Sequence, residues 1–342
     1  MHGALDDPPI STEVFAALGR LQNGFYGFRC WVVALELGLV QVLGERLDTA
    51  AGLAARTGTD ARAVTRLLDA LVAIGLVTKQ PGNEPRYALE SGLESFAVHA
   101  AAYTRHMQRL ESVWGQLAST VRTGAPAETV EGDDQSAFFA AFVRILLATN
   151  RRAAEIAAEA LRSKLALLPS PAALDIGAGS GVWSLVLARA VPALTVIALD
   201  RQGVLPITRQ VFEEHGVGDR LREIAADHRQ VDLGEQIYDV IFLGHILHSE
   251  GRGESERLIA RSARALKPGG TLVIGEFIAD EARASRDQPR PLLFAVNMLL
   301  VTSEGDAFTL SEMSAWLRAA GLAKIATLPV PGASPVILAE RA

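Results

Sequence analysis

The sequence predicts an α/β protein in which a doubly wound parallel sheet follows an N-terminal winged-helix domain, helical apart from one hairpin. Three observations support this prediction. Strand-like and helix-like segments alternate from residue 172 onward, a glycine-rich turn joins the first of these strands to a helix, and helical periodicity fills most of the first hundred residues. We place the divisions at 1–100, 101–165 and 166–342.

The first of these segments has the pattern of a winged helix. Asp60 is a good N-cap, and apolar residues follow it at the spacing of one helical face until Gly75. Two short strands, 76–79 and 86–89, then flank a Pro-Gly-Asn turn. Winged helices often bind DNA, but residues 45–90 carry six basic and six acidic side chains, and phosphate binding needs a positive surplus. This balance favours a packing or dimerisation module.

The composition is typical of a soluble globular enzyme, with 49% hydrophobic and 21% charged residues. The net charge of −6 argues against a nucleic-acid partner, and the single cysteine, Cys30, excludes an intrachain disulfide. The apolar run from Cys30 to Leu43 is interrupted by Glu36 and Gln41 and is too short and polar to cross a bilayer. The first ten residues lack the apolar centre of a signal peptide. We therefore expect a cytoplasmic protein with no membrane partner.

The middle segment and a later helix supply candidate pocket residues. Residues 101–165 are Ala-rich and predicted to be helical, and Phe142 belongs to an apolar stripe for which plain core packing is the first interpretation and a pocket wall the second. A helix is also predicted over 294–300. There Asn297 and Met298 are candidates to line a substrate cavity, and a buried helix with one capped amide is the equal alternative.

The C-terminal segment contains the predicted sheet. We place its strands at 172–176, 195–199, 221–225, 238–243 and 271–277, with helices near 182–190, 206–215 and 254–266, and a final edge hairpin at 323–328 and 335–340. Ligands of such sheets bind at the carboxyl ends of the strands. Acidic residues stand at three of these strand ends: Asp175, Asp200 and Asp227.

The turn after the first strand has the form D-x-G-x-G-x-G, from Asp175 to Gly181. Gly177, Gly179 and Gly181 let the backbone turn tightly and let a ligand approach the main chain, and the N–H groups at the following helix start suit an anionic or polar group. A nicotinamide-binding turn has the spacing G-x-G-x-x-G. Counted from Gly177, the last glycine of that motif would fall at 182, where this chain has Val182. This spacing disfavours a nicotinamide-dependent oxidoreductase.

This motif resembles the first motif of class I S-adenosylmethionine-dependent methyltransferases, which have a Rossmann-like sheet. The resemblance implies that Asp175 helps to place the amino group of the methionine moiety and that the three glycines accommodate the rest of the cofactor. Asp200, nineteen residues after Gly181, is placed to accept the ribose hydroxyls, and Asp227 falls where the family commonly contacts adenine.

The segments Phe242–His248 and Ala265–Glu276 resemble the small-molecule O-methyltransferases typified by plant caffeate and flavonoid enzymes and bacterial polyketide-tailoring enzymes. The N-terminal winged helix is similar to their dimerisation domain, so the resemblance covers nearly the whole chain and implies a homodimer. It also implies that His248 is the general base and that Glu276 orients it. Such a base is needed because a phenol, with a pKa of about 10, ionises little at neutral pH. An imidazole with a pKa of about 6.5 is able to accept its proton.

The chain departs from the family pattern around His248. Ser249 and Glu250 follow it where the family has Asp-Trp, and a second carboxylate that often brackets the histidine falls near Ala307. His245 lies three residues before His248, so the two share a face if the segment is helical. The two histidines are a conceivable metal pair, whereas His245 alone is a pocket or core residue. No metal is predicted, because the spacing shows no third ligand.

The sequence thus predicts a homodimeric, S-adenosylmethionine-dependent methyltransferase that acts on a hydroxyl of an aromatic or polyketide-like small molecule. The first alternative is a family member that methylates carbon or catalyses a reaction other than methyl transfer. A winged-helix regulator that senses a metabolite is the alternative of another class.

Overall fold

The computed structural model describes residues 10–128 and 136–342, without the side chains of 95, 136–142, 144 and 145. The chain divides into two compact units, residues 1–109 and 110–342. The three-part division made from the sequence stays a prediction.

The first unit contains a helical core and a small antiparallel sheet. Its helices are α1 (Thr12–Glu36), α2 (Leu39–Glu45), α3 (Ala50–Thr57), α4 (Ala61–Ala73), α5 (Glu94–Val98) and α6 (Ala100–Trp114), which runs across the division, and its strands are β1 (Asp48–Thr49), β2 (Val77–Gln80) and β3 (Arg86–Leu89). The strands lie in the order β1-β3-β2. The predicted hairpin is therefore present, and the two-residue β1, too short for any sequence pattern, extends it.

Local capping and burial explain how α4 and the hairpin pack together. The Asp60 carboxylate accepts a hydrogen bond from the backbone N–H of Ala63 and so begins α4. Leu68 and Leu71 on the inner face of α4 are fully buried, as is Tyr87 on β3, whose hydroxyl donates to Asp69 at 3.0 Å. These contacts fix the hairpin against α4.

The outer face of α1 is apolar and exposed. Phe15, Leu21 and Phe25 are 71%, 72% and 63% exposed, and Val14 and Leu18 lie on the same face with about half of their surface exposed. A stripe of this kind on one helix is typical of a surface that another protein covers. We refer to Val14, Phe15, Leu18, Leu21 and Phe25 as the α1 stripe.

The second unit contains the large sheet. Its helices are α7 (Leu117–Thr123), α8 (Ser136–Leu165), α9 (Val182–Ala190), α10 (Leu205–Glu214), α11 (Arg252–Ala265), α12 (Arg290–Val301) and α13 (Leu310–Ala319). Its strands are β4 (Ala172–Ile176), β5 (Thr195–Asp200), β6 (Leu221–Ala225), β7 (Tyr238–Gly244), β8 (Leu266–Gly275), β9 (Leu322–Leu328) and β10 (Val336–Arg341). The predicted α/β fold class is confirmed.

The sheet has the order β6-β5-β4-β7-β8-β10-β9. Strands β4 to β8 are parallel, and β9 and β10 add the predicted antiparallel edge. Side chains of β4 alternate between the two faces: Ala173 packs in the core beneath α8 and α9, whereas Leu174 and Ile176 pack in the core beneath α11 and α13. Helices therefore cover both faces, as the alternating sequence pattern predicts.

One strand differs from its predicted bounds by more than one residue. Strand β8 begins at Leu266 rather than Thr271 and ends at Gly275, so that Glu276 and Phe277 lie just beyond it. Its pairing with β7 shifts between the two ends, because the Lys267–Gly270 stretch forms an excursion within the strand. Pro268 cannot donate a hydrogen bond and Gly269 has a φ of +75°, which accounts for the excursion.

Within the described residues no single helix is both long and apolar enough to span a membrane. The pair α1 and α2 passes the same test only when taken together, and the two helices meet at an angle of 71°.

Candidate active site

The strand register brings the predicted site residues to one edge of the sheet. Ile176 at the end of β4 pairs with Leu199 on β5 and with Leu243 on β7, and Gly244 pairs with Gly275 on β8. The residues that follow these ends therefore lie along the same carboxyl edge. They are Gly177, Asp200, His245 and Glu276.

The glycine turn adopts a conformation that requires glycine. The φ angles of Gly177, Gly179 and Gly181 are +65°, +56° and +68°. They lie in the left-handed region, which residues with a Cβ rarely adopt. A Cβ at Gly177 would lie 2.6 Å from Ile246 Cδ1, and one at Gly181 would lie 2.7 Å from a ring carbon of Phe212. A Cβ at Gly179 would meet nothing closer than 3.8 Å, so the turn is open to a ligand there.

Asp200 is tied to this turn. Its Oδ2 accepts a hydrogen bond from the N–H of Gly179 at 2.8 Å, and its Oδ1 accepts one from the N–H of Arg201 at 2.7 Å. Burial raises the pKa of the Asp200 carboxyl, and these two backbone donors oppose the increase. Each carboxylate oxygen keeps a further lone pair, so the group is able to accept hydroxyl donors.

Asp227 lies beside Asp200 in the fold. The N–H of Ala226 donates to the backbone oxygen of Asp200 at 3.1 Å, which joins the segment after β6 to the end of β5. The Asp227 side chain is 44% exposed, and its carboxylate accepts from the N–H of Arg229 at 2.9 Å. The structure therefore places Asp227 at an accessible position next to Asp200.

Asp175 has a different environment. It is 1% exposed, and its Oδ2 accepts a hydrogen bond from the hydroxyl of Ser184 on α9 at 2.5 Å. Burial raises the pKa of this carboxyl to about 7, more than the bond from Ser184 lowers it. The cofactor contact predicted for Asp175 from the family motif stays a prediction, since the carboxylate is engaged within the fold.

His248 and Glu276 form the predicted pair. Nδ1 of His248 lies 2.7 Å from Oε2 of Glu276, and the backbone N–H of His248 donates to Oε1 at 3.3 Å. Glu276 is 5% exposed; burial alone would raise its pKa, but the neighbouring His248 and His245 hold that pKa below its usual value. An ionised carboxylate only accepts hydrogen bonds, so Nδ1 of His248 is the donor and Nε2 is left for another partner.

His245 lies beside this pair. Its Nδ1 is 3.9 Å from Oε2 of Glu276, and its ring centre is 5.9 Å from that of His248. Its φ of +59° is unusual for a residue with a side chain, and its N–H donates to the oxygen of Gly275 at 2.8 Å. Burial lowers the pKa of His245 to about 4. The imidazole is therefore neutral at physiological pH.

Aromatic rings surround the two histidines. Phe294 on α12 makes an edge contact with His248 at 4.8 Å between ring centres, and Phe277 lies 5.1 Å from His245 and 4.0 Å from Phe294. Trp183 on α9 is 6.3 Å from His245. Planar apolar surfaces around a base are suited to a planar aromatic substrate.

Sequence reasoning did not single out Trp183, Phe277 or Phe294 as parts of the site. Trp183 occupies the space that side chains at Gly244 and Gly275 would fill, so its indole packs directly against the ends of β7 and β8. The sequence did offer a signal for Trp183, because it lies two residues after the third glycine of the motif. Phe277 directly follows Glu276 and was an available signal too, whereas only the tertiary structure places Phe294 against His248.

Asn297, Met298 and Phe142, which the sequence offers as further pocket residues, have different surroundings in the structure. The Asn297 side-chain oxygen accepts a hydrogen bond from the Trp114 indole at 3.0 Å, which is the capped amide that the sequence left as the alternative. Met298 is 6% exposed and packs within the fold. Phe142 lies on α8, but its side chain is outside the described residues. The pocket roles of all three stay predictions.

The departures from the family pattern have structural explanations. Glu250 is buried and accepts two hydrogen bonds from Arg229, at 2.7 and 3.2 Å, with Nε2 of His228 at 3.2 Å from it. Asp306 pairs with Arg283 at 2.7 Å, and only its backbone N–H contacts His248, through the backbone oxygen. Among the described residues, Glu276 is thus the carboxylate that contacts the His248 ring.

The comparisons with known proteins agree with this geometry. Residues 114–323 match the O-methyltransferase domain, and residues 20–91 match the O-methyltransferase dimerisation domain. The chain belongs to the O-methyltransferase family. The prediction of an S-adenosylmethionine-dependent O-methyltransferase with a dimerisation domain is confirmed, and the regulator and oxidoreductase alternatives are not favoured.

Named relatives of this methyltransferase come from bacteria and mammals. It is 29% identical to the tetracenomycin polyketide synthesis 8-O-methyl transferase TcmO of Streptomyces glaucescens, with 94% of this chain and 95% of that protein covered. It is 26% identical to the 3-hydroxy-5-methyl-1-naphthoate 3-O-methyltransferase of Streptomyces sahachiroi, with 95% of each covered. The structure of human N-acetylserotonin methyltransferase with S-adenosylmethionine has the same fold, with a TM-score of 0.78, 22% identity, and coverage of 98% of this chain and 99% of that one.

Proposed function

We propose that this methyltransferase moves a methyl group from S-adenosylmethionine to a hydroxyl of an aromatic or polyketide-like small molecule, with His248 as the general base. The observation that carries the proposal is the Glu276–His248 pair within a cluster of aromatic rings, next to the glycine turn. Ile246 connects the two parts of the site, because its Cδ1 lies 2.6 Å from the position that a Cβ of Gly177 would take. The base is therefore held beside the segment proposed to bind the cofactor.

The residues of the turn fit the cofactor. The surface at Gly179 is open, the carboxylate of Asp200 is fixed by two backbone donors, and Asp227 is accessible beside it. We propose that Gly177, Gly179 and Gly181 let the methionine part approach the backbone, that Asp200 accepts the ribose hydroxyls, and that Asp227 contacts the adenine side. When bound, the cofactor supplies an activated methyl on its sulfonium sulfur.

His248 is arranged to accept the proton of the substrate hydroxyl. Its Nδ1–H donates to Glu276, which fixes the tautomer and leaves Nε2 to take the proton as the new oxygen–carbon bond forms. The negative charge of Glu276 then stabilises the imidazolium. A positioned base of this kind contributes about 10²- to 10⁴-fold to a rate.

The acceptor class rests on the aromatic surroundings and on the relatives. Phe277 and Phe294 are partly exposed flat apolar rings beside the two histidines, and two named relatives act on a polyketide and a hydroxynaphthoate. The family and the named relatives favour oxygen over carbon as the methyl acceptor.

The base assignment is tested by methyl transfer to a panel of hydroxynaphthoates and hydroxyanthraquinones. We expect His248→Gln to lower kcat by about 10²-fold or more while S-adenosylhomocysteine binding, measured by calorimetry, stays unchanged. A variant that turns over at the wild-type rate would refute the assignment. Fragmentation of the product in a mass spectrometer separates a methyl on oxygen from one on carbon.

We also propose that the enzyme is a homodimer in which the α1 stripe is covered by a second copy. The match of residues 20–91 to a dimerisation domain and the exposure of five apolar side chains on one helix face support this. A cytoplasmic location and the absence of nucleic-acid and membrane partners remain proposals that rest on composition. An electrophoretic mobility shift with genomic fragments tests the DNA part.

A further inference from the structure

Three potential metal ligands converge at the carboxyl edge of β7 and β8. One donor atom each from His245, His248 and Glu276 lies within 4.8 Å of the other two. Within the part of the chain that the structure describes, this is the one group of three histidine, cysteine or acidic side chains close enough to share an ion. The sequence argued against a metal because no third ligand was evident from spacing. The fold supplies that ligand from a strand end twenty-eight residues away.

The separations suit a small first-row ion. A tetrahedral Zn²⁺ with bonds of about 2.0–2.2 Å holds neighbouring ligand atoms roughly 3.3–3.5 Å apart. Nδ1 of His248 and Nδ1 of His245 lie 2.7 and 3.9 Å from Oε2 of Glu276, so the two distances lie on either side of that value. Side-chain rotations that move these ligand atoms by about 0.5–0.7 Å would bring both distances to that value.

One donor atom of the group is available without breaking a hydrogen bond. Nδ1 of His245 is buried and makes no hydrogen bond within the described structure. A buried nitrogen without a partner is costly, and a cation is a partner that would satisfy it. The backbone around the group is fixed, because the N–H of His245 is bonded to Gly275 and that of His248 to Glu276.

We propose that His245, His248 and Glu276 form an inhibitory site for one divalent transition-metal ion, with Zn²⁺ the best fit to two imidazoles and one carboxylate. When the ion binds, its bonds to Nδ1 of His248 and to Glu276 replace the hydrogen bond between these two groups. Solvent takes the Nδ1 proton and supplies one to Nε2, so the imidazole stays neutral. A water molecule completes the coordination. Mg²⁺ and Ca²⁺ are poor occupants, since they prefer oxygen ligands.

The inhibitory consequence rests on the proposed function, whereas metal binding itself does not. With its Nδ1 on an ion, His248 is no longer paired with a carboxylate that can stabilise its protonated form. Nε2 then carries the proton of the neutral ring, so no ring nitrogen is left to accept one from a substrate hydroxyl. The base that the reaction needs is therefore disabled while the metal is bound.

The binding test uses Co²⁺ as a coloured substitute for Zn²⁺ on chelator-treated full-length protein. We expect visible absorption of a four-coordinate ion to saturate at one equivalent and to disappear when Zn²⁺ is added. His245→Asn and Glu276→Gln should each weaken Co²⁺ binding by about 100-fold or more. Loss of an outer-shell partner already costs about 10- to 100-fold, and these two residues are direct ligands. Asparagine is chosen because it tolerates the positive φ at this position.

The matched control is His215→Asn, which removes a histidine from α10's C-terminal end, outside the group. Its Co²⁺ affinity should equal that of the wild type. Binding of S-adenosylhomocysteine shows that each variant is folded, and His248→Gln replaces Glu276→Gln in the comparison if the latter does not fold. Absence of the Co²⁺ spectrum, or equal affinity in wild type, His245→Asn and Glu276→Gln, would overturn the site.

The activity test separates the two claims. Zn²⁺ should inhibit the wild-type enzyme reversibly, with activity restored by a chelator. The half-inhibiting Zn²⁺ concentration is measured for each protein relative to its own metal-free rate. From wild type to His245→Asn, this concentration should rise by the same factor as the Co²⁺ dissociation constant. Binding without inhibition would contradict the regulatory role and count against His248 as the base, while the metal site would stand.

Discussion

At the scale of single residues, burial and the contact with Glu276 give His245 and His248 different abilities to accept a proton. They are three positions apart, yet burial lowers the pKa of His245 to about 4, whereas His248 holds a hydrogen bond to the ionised Glu276. A histidine that is neutral and hard to protonate is a weak proton acceptor near neutral pH. The contrast favours His248 over His245 as the base.

Asp200 is the residue on which cofactor affinity should depend most. We expect Asp200→Asn to weaken S-adenosylhomocysteine binding by about 10- to 100-fold, since hydrogen bonds to a charged group contribute about 1.5–3 kcal/mol. Calorimetry measures the change. Glu235→Gln removes an exposed charge of the same sign elsewhere and should bind as the wild type does. Equal affinities for all three proteins would remove Asp200 from the cofactor site.

Asp175 should make the stability of the cofactor-free enzyme depend on pH. Its pKa is raised by burial from 3.8 to about 7, so the folded chain binds more protons than the unfolded chain between these values. This contribution to stability is fully present below about pH 4 and is lost as pH rises towards 7, by up to about 1.4 kcal/mol per unit. Urea unfolding of Asp175→Asn across this range should show a flatter dependence than the wild type. An identical slope in both proteins would contradict the assignment.

At the scale of elements, the glycine turn is determined by backbone conformation and by its neighbours together. All three glycines have positive φ, but only Gly177 and Gly181 are also crowded by side chains from other segments. The spacing of the motif is visible in the sequence. The contact with Ile246, which joins the turn to the histidine segment, depends on β4 and β7 being adjacent.

This contact can be tested by a double-mutant cycle. Gly177→Ala should destabilise the fold more than Gly179→Ala, because both incur the cost of a positive φ but only the first meets Ile246. We expect the difference to be about 1–3 kcal/mol in urea unfolding. Ile246→Val removes the Cδ1 atom, so Gly177→Ala should cost less in that background. If the effects of Gly177→Ala and Ile246→Val on the free energy of unfolding are additive, the contact between the two positions does not contribute to stability.

The elements themselves were largely predictable. Strands β4 and β6 and the helix α9 have the predicted ends. For β4 and α9 the reason is that glycine or proline stands at or near each end of an apolar run. The start of β8 and the short β1 were missed. Both depend on pairing with a strand distant in sequence, which periodicity within one segment does not encode.

At the scale of the whole molecule, the α1 stripe predicts the oligomeric state. We expect Leu21→Asp to convert the dimer to a monomer at micromolar concentration, measured by sedimentation velocity, because a buried unpaired charge costs several kcal/mol at an interface. Leu167→Asp is the matched control, since Leu167 is 85% exposed and lies in the other unit. A wild-type chain that sediments as a monomer would exclude the proposed dimer.

By itself, the sequence determined the α/β class, the glycine turn with its strand-end aspartates, and the pairing of His248 with Glu276 through a family motif. These features follow from local periodicity, turn chemistry and motif spacing, which are properties of short segments. Only the tertiary structure decided that Asp175 is buried against Ser184, that Trp183 packs against two glycines, and that Glu276 lies between two histidines. Burial and the distances between separate segments arise when the strands align, and no single segment contains that information.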